Sequence, residues 1–103
     1  MKSIQNYMDA LTKSGIPVRY GVLFGSYVNG KPHEWSDIDL LVVSPLYDKR
    51  RTHKQAAKLW RIAADIDSRI EPIPVGEKQF ELDSNSVIIV VARREGQIIP
   101  LAE

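Results

Sequence analysis

There is no cysteine in this chain. That excludes disulfides and thiolate metal sites, and it fits a cytoplasmic setting. No apolar run approaches the roughly 18 residues a transmembrane helix needs, and the polar start Met1-Lys2-Ser3-Ile4-Gln5-Asn6 contains no signal-peptide core. Net charge is nearly absent as well. Fourteen Lys and Arg stand against 13 Asp and Glu and leave +1, which gives no general pull toward nucleic acid. The two histidines, His33 and His53, make no zinc site without cysteine. Internal repeats, low-complexity tracts and linkers are missing too. What remains is 44% hydrophobic and 26% charged over 103 residues, ordinary figures for a globular protein. They predict one soluble α/β domain spanning 1–103 with a single core.

Periodicity divides the chain. Ile4, Tyr7, Met8 and Leu11 recur at helical spacing, and Ser14-Gly15-Ile16-Pro17 stops that helix. Val18 to Phe24 reads as a strand with Tyr20, Val22 and Phe24 on one face. A short helical turn over 26–29, stopped by Gly30, and a loop over 31–36 lead to a second strand, Asp37 to Val43, which Ser44-Pro45 ends. Asp48 to Ser68 reads as one long helix with Ala56, Leu59, Trp60, Ala63, Ile66 and Ile70 in a sheet-facing stripe. Arg69 to Val75 is a third strand. Pro72 and Pro74 at alternate positions remove N–H groups on one side, so it belongs at a sheet edge. Val87 to Val91 is β-branched enough for a strand. The ending Ala92-Arg93-Arg94-Glu95-Gly96 nevertheless predicts a helix, with Asp83 or Ser84 as its cap and an extended tail over 97–101.

The most informative segment is 24–43. Phe24-Gly25-Ser26 closes one strand, and after ten residues Asp37-Ile38-Asp39 opens the next. On a strand, residues two apart share a face, so both carboxylates project together. Like charges so placed raise each other's pKa. A cation relieves that conflict, and Mg²⁺ takes one or two carboxylates plus substrate phosphates. Gly25 lets backbone approach a ligand closely, and N–H groups at a helix start, with the Ser26 hydroxyl, suit an anion. A phosphate cradle facing a carboxylate pair predicts metal-assisted phosphoryl or nucleotidyl transfer. The plainer alternative is a strand–turn–strand with an acidic strand start and Ser26 as a helix cap.

This combination resembles the nucleotidyltransferases of the DNA polymerase β superfamily, and most closely the minimal nucleotidyltransferases. The resemblance rests on Gly21-Val22-Leu23-Phe24-Gly25-Ser26, Gly30, Ser36-Asp37-Ile38-Asp39-Leu40-Leu41-Val42-Val43 and, more loosely, Ile70-Glu71-Pro72-Ile73-Pro74-Val75. It implies a polymerase β-like fold of class α/β (α+β), a mixed twisted sheet of three or more strands flanked by helices. It implies two Mg²⁺ ions held by Asp37 and Asp39, a nucleoside triphosphate held at Gly25 and Ser26, and transfer of AMP from ATP to a hydroxyl. The family adds a third carboxylate, usually Asp, from a neighbouring strand. Here Glu71 takes that position, one methylene longer, with Asp65 and Asp67 as competitors near a helix end. So short a chain leaves the acceptor to a partner or a second copy. Minimal nucleotidyltransferases are commonly paired with a small helical HEPN protein, a ribonuclease toxin to which the nucleotidyltransferase is the antitoxin, and some adenylylate the toxin on tyrosine. The rival reading is a binding module that neutralises such a partner without chemistry. Modification of an aminoglycoside or another small molecule is a further class.

Other features carry two readings each. Lys49, Arg50, Arg51, His53 and Lys54 are a solvated basic face, or serve a triphosphate or an acidic partner. Trp35, beside His33 in the loop over the site, packs on its own domain or stacks on a base.

Overall fold

A computed structural model of the chain describes residues 2–25 and 37–101. The first helix, α1 (Lys2–Lys13), buries Ile4, Tyr7, Met8 and Leu11, the predicted stripe. Gly15 follows it in the left-handed region at φ 96°, where glycine carries no steric penalty, so the chain turns there. Strand β1 (Tyr20–Phe24) leads into the undescribed segment, and β2 (Ile38–Ser44) leads out of it. The short turn and loop expected over 26–36 therefore lie outside the described residues.

The long helix expected over 48–68 is two helices. A single turn, α2 (Leu46–Lys49), ends at Arg50, whose backbone is extended at φ −161° and ψ 136°. The main helix, α3 (His53–Ile66), then starts afresh at a capping box on Thr52. The Thr52 hydroxyl accepts from the Gln55 N–H at 3.2 Å, and the Gln55 side-chain oxygen accepts from the Thr52 N–H at 2.9 Å. Two orphan donors are satisfied at once, which makes this the favoured start. Leu59 and Ala63 face the sheet, whereas Trp60 and Ile66, rotated off that line, are 48% and 39% exposed. Strand β3 (Ile70–Gly76) follows, then α4 (Glu77–Leu82), α5 (Val87–Glu95) and β4 (Gln97–Pro100).

The helix expected at 87–95 is present and stops at Gly96. Its N-cap is Ser86, which makes no side-chain cap bond. Asp83 instead accepts from the N–H groups of Asn85 and Ser86, forming a turn just ahead of the helix. The extended tail is a full strand, because β1 has an open edge for it to pair with. The sheet order is β3-β2-β1-β4, with β1 antiparallel to both β2 and β4 and β2 parallel to β3. The proline-bearing strand stands at an edge, as its missing N–H groups require.

Helices cover both faces. Ile38, Leu40 and Val42 pack under α1 and α3, while Leu41 and Val43 pack with Val75, Phe80 of α4, and Ile89 and Ala92 of α5. No described helix is long and apolar enough to cross a membrane. A buried polar contact ties the two helices of the first face. The Tyr7 hydroxyl donates to the Leu59 carbonyl at 2.8 Å, and burial, with Tyr47 nearby, raises its proton affinity so that it stays a donor. Tyr7→Phe removes the second donor to that carbonyl, which also accepts from the Ala63 N–H within α3, and is expected to cost about 1 kcal/mol. Urea unfolding should show a lower midpoint with an unchanged slope.

Candidate active site

Parallel register sets Asp39 of β2 directly opposite Glu71 of β3. Neighbouring strands lie about 4.8 Å apart and paired residues project to one face. Both carboxylates therefore stand on the side covered by α4 and α5, beyond Leu41 and Ile73. Asp37, exposed just ahead of β2, is two residues from Asp39. Its charge reaches Glu71. The Glu71 carboxyl is raised above its ordinary value by burial first, then by Asp37, then by a hydrogen bond shared with Asp39 and the charge of Asp39. The structure thus brings together Asp37, Asp39 and Glu71. Among the described residues, no group of three ligating side chains stands at metal-holding distances.

Gly25 closes the other side. Antiparallel register puts Phe24 opposite Asp39, and Gly25 follows at φ 79°. A side chain there would be strained, and its Cβ would collide with Oδ2 of Asp39. Glycine is needed here for the carboxylate to pack against backbone, a requirement additional to any approach of a phosphate. Ser26 lies outside the described residues, as do Gly30, His33, Trp35 and Ser36.

The competitors for the third carboxylate are placed elsewhere. Asp65 is exposed on α3. Asp67 is committed to Arg69. Its carboxylate accepts from the Arg69 backbone N–H and Nε at 3.0 Å each and from Nη2 at 2.7 Å. The Arg69 carbonyl in turn accepts from the Ile38 N–H at 2.8 Å, at the point in β2 between Asp37 and Asp39. This clasp between the end of α3 and the start of β3 sets where β3 begins, two residues before Glu71. Sequence reasoning missed it. The signal was present in Asp-x-Arg after an apolar helix, a pattern that closes a turn through its own side chains.

The basic cluster is remote from the carboxylates. It follows β2, whose five steps from Asp39 to Ser44 cover about 17 Å at ~3.3 Å per residue, so it lies at the opposite end of the sheet. Lys49 closes α2, where the helix dipole favours a cation. Arg51 donates to the Gln79 side chain at 2.6 Å. Asp48 points the other way and accepts from the Lys78 and Gln79 N–H groups at the start of α4. Service to a triphosphate at the carboxylates is ruled out for this cluster by distance.

A sheet of this topology, with carboxylates paired across β2 and β3 and a left-handed glycine ending β1, defines the nucleotidyltransferase class. The nucleotidyltransferase domain family matches residues 9–95, and the chain belongs to that family. No curated protein matches it in sequence. Among solved structures, it is similar to a toxin–antitoxin crystallised with AMP-PNP, at a TM-score of 0.62 and 22% identity over 96% of this chain and 74% of that one. A mutant of the toxin–antitoxin MntA-HpeT gives a TM-score of 0.60 at the same identity and coverage.

Two predictions follow from the geometry. Gly25→Ala should destabilise the fold by on the order of 1–2 kcal/mol, the cost of a side chain in left-handed backbone. It should also displace Asp39, so that ATP with Mg²⁺ no longer raises the melting temperature as it does for wild type. Retention of the full ATP-dependent shift would reduce Gly25 to a turn residue.

The second concerns pH. The Asp67 carboxyl is lowered from 3.8 to about 2, chiefly by its side-chain hydrogen bond to Arg69. A depressed folded-state value means this stabilisation is complete above the unfolded value and disappears as pH falls through about 2. Asp67→Asn should therefore cost about 1–2 kcal/mol at neutral pH. The gap between variant and wild type in denaturant melts should narrow below the ordinary Asp range and vanish in strong acid.

Proposed function

We propose that this nucleotidyltransferase moves AMP from ATP to a hydroxyl on a protein partner, as the antitoxin half of a pair whose other half is a HEPN-type helical protein. The observation that carries the proposal is the Asp39–Glu71 pair, in register across parallel strands with Asp37 two residues away. Supporting it, one similar structure was solved with AMP-PNP, an ATP analogue, and both are toxin–antitoxin proteins. An exposed apolar corner formed by Leu82, Val87 and Ile88, at 76%, 76% and 47% exposure, is chemistry a protein partner would bury.

An all-oxygen donor set suits Mg²⁺, which needs only one or two protein carboxylates and fills its octahedron with water and phosphate oxygens. Asp37 and Asp39 would hold it, with Glu71 beside them, as two ions in the family's pattern. Bound there, the metal supplies Lewis-acid polarisation of the triphosphate and lowers the pKa of an acceptor hydroxyl. The chain's own contribution is proton handling. Glu71, in register with Asp39 on the neighbouring strand and one methylene longer in reach, is the candidate general base of the three. Its carboxylate takes the acceptor's proton as the acceptor oxygen bonds to the α-phosphorus. The bond from that phosphorus to the bridging oxygen breaks, and pyrophosphate leaves. Gly25 and Ser26 would cradle the phosphates through backbone N–H groups and the Ser26 hydroxyl.

Glu71 in place of the usual Asp is the one feature that favours the non-catalytic reading, in which the domain neutralises its partner by covering it. Intact-mass spectrometry of the partner after incubation with the protein, ATP and Mg²⁺ separates the two. The proposal expects AMP-sized additions, lost with Asp37→Asn and reduced by about 10²-fold or more with Glu71→Gln. A tight complex with no adduct, and neutralisation surviving Asp37→Asn, would leave the binding reading standing instead.

A further inference from the structure

The basic cluster and the outer face of α3 are not used by the site described above. They form one surface. Lys49, Arg50, Arg51, His53 and Lys54 are all exposed, and two carboxylates from the same end of the sheet are engaged elsewhere. Asp48 accepts from the N–H groups of Lys78 and Gln79, and Glu77 pairs with Arg19 at 3.4 Å. Along α3, Trp60 and Arg61 stand seven residues beyond His53 and Lys54, about two turns, and so on the same face. Ala57 and Ala64, exposed between and beyond them, leave that face low. The Trp60 indole is 48% exposed. Among the described residues, neither Lys54 nor Arg61 forms an ion pair, and the one aromatic ring contact is between Tyr20 and Phe80.

The chemistry discriminates between occupants. A protein interface centres on apolar surface from which charge is depleted, and on this molecule that description fits Leu82, Val87 and Ile88. The α3 face has the opposite composition, with Lys54 and Arg61 to one side of one flat aromatic ring and Asp65 the single exposed carboxylate beside them. Every nucleobase presents a π-face to such a ring while Lys and Arg track the backbone, the recurring recipe for single strands. We propose that the outer face of α3 binds single-stranded nucleic acid, with Trp60 stacked on a base and Arg50, Lys54 and Arg61 holding successive phosphates. The positive N-terminus of α3 adds to the field there. This inference is independent of nucleotidyl transfer.

The test is fluorescence anisotropy of a labelled single strand of roughly 12 nucleotides, as RNA and as DNA of the same sequence, in EDTA and without ATP. Affinity should fall with salt at a log–log slope of about −2, three phosphates at −0.7 each. Lys54→Glu with Arg61→Glu should flatten that slope to about −0.7. Trp60→Ala should weaken binding at least about fivefold at fixed salt and leave the slope unchanged, while Trp60→Phe restores most of it. Thermal melts check that each variant is folded. Binding of either nucleic acid with this variant pattern supports the proposal. No binding at about 50 mM salt, binding indifferent to Trp60→Ala and to the charge reversals, or equal displacement by a poly-glutamate peptide would overturn it.

Discussion

Parallel pairing of β2 with β3 is the constraint on which the rest of this structure depends. A parallel neighbour cannot be reached by a hairpin, so the chain must cross the sheet before it returns. The α2–α3 segment is that crossover, and its burial of Leu59 and Ala63 against the sheet stabilises the return. The landing point then decides the chemistry. A slip of one residue in β3 would turn Glu71 to the opposite face, away from Asp39. The Asp67–Arg69 clasp and the bond from the Ile38 N–H to the Arg69 carbonyl hold the register at its first rung. Polar contacts at the rung beside the site therefore place the candidate third carboxylate.

The same crossover separates charge. Acidic groups gather where β2 and β3 begin, and basic groups gather where β2 ends. A net charge of +1 conceals this polarity, because a sum over the chain carries no positions. At about 17 Å along β2, beyond a Debye length at physiological salt, the cluster before α3 and the carboxylates act on ligands separately. An anion that the carboxylates repel without metal still finds a favourable surface on α3. This is why composition argued against nucleic acid while the spatial arrangement argues for a local site.

Much of this was legible in the chain. Phe24-Gly25 and Asp37-x-Asp39 fixed the meeting of β1 and β2, since an antiparallel pair joined there must bring a strand end to a strand start. Pro72 and Pro74 marked an edge correctly, because a missing donor is a local property. Two expectations failed for local reasons. The helix expected over 48–68 ignored Thr52-x-x-Gln55, a capping box written plainly in the sequence, although the apolar period begins only at Ala56. Trp60 was assigned to the buried stripe because period alone cannot say how wide a helix face the sheet will cover. The strand at 97–100 was not legible locally. Its status comes from the open edge of β1, a tertiary fact.

Glu71 is best understood from the register. Asp39 and Glu71 face each other across one strand spacing, and the backbone at Gly25 presses on the Asp39 carboxylate from the other side. With an Asp at position 71, both carboxylates would sit at one height above the sheet, each hemmed by the other. The extra methylene lengthens the reach of the Glu71 carboxyl, which shares a hydrogen bond with Asp39. It also adds a rotatable bond, so the group is less well positioned until an acceptor or metal orders it. In the proposed transfer, Asp39 is the rigid member of the pair and Glu71 the reaching one. Holding a cation calls for the first property, and collecting a proton from a partner's hydroxyl calls for the second.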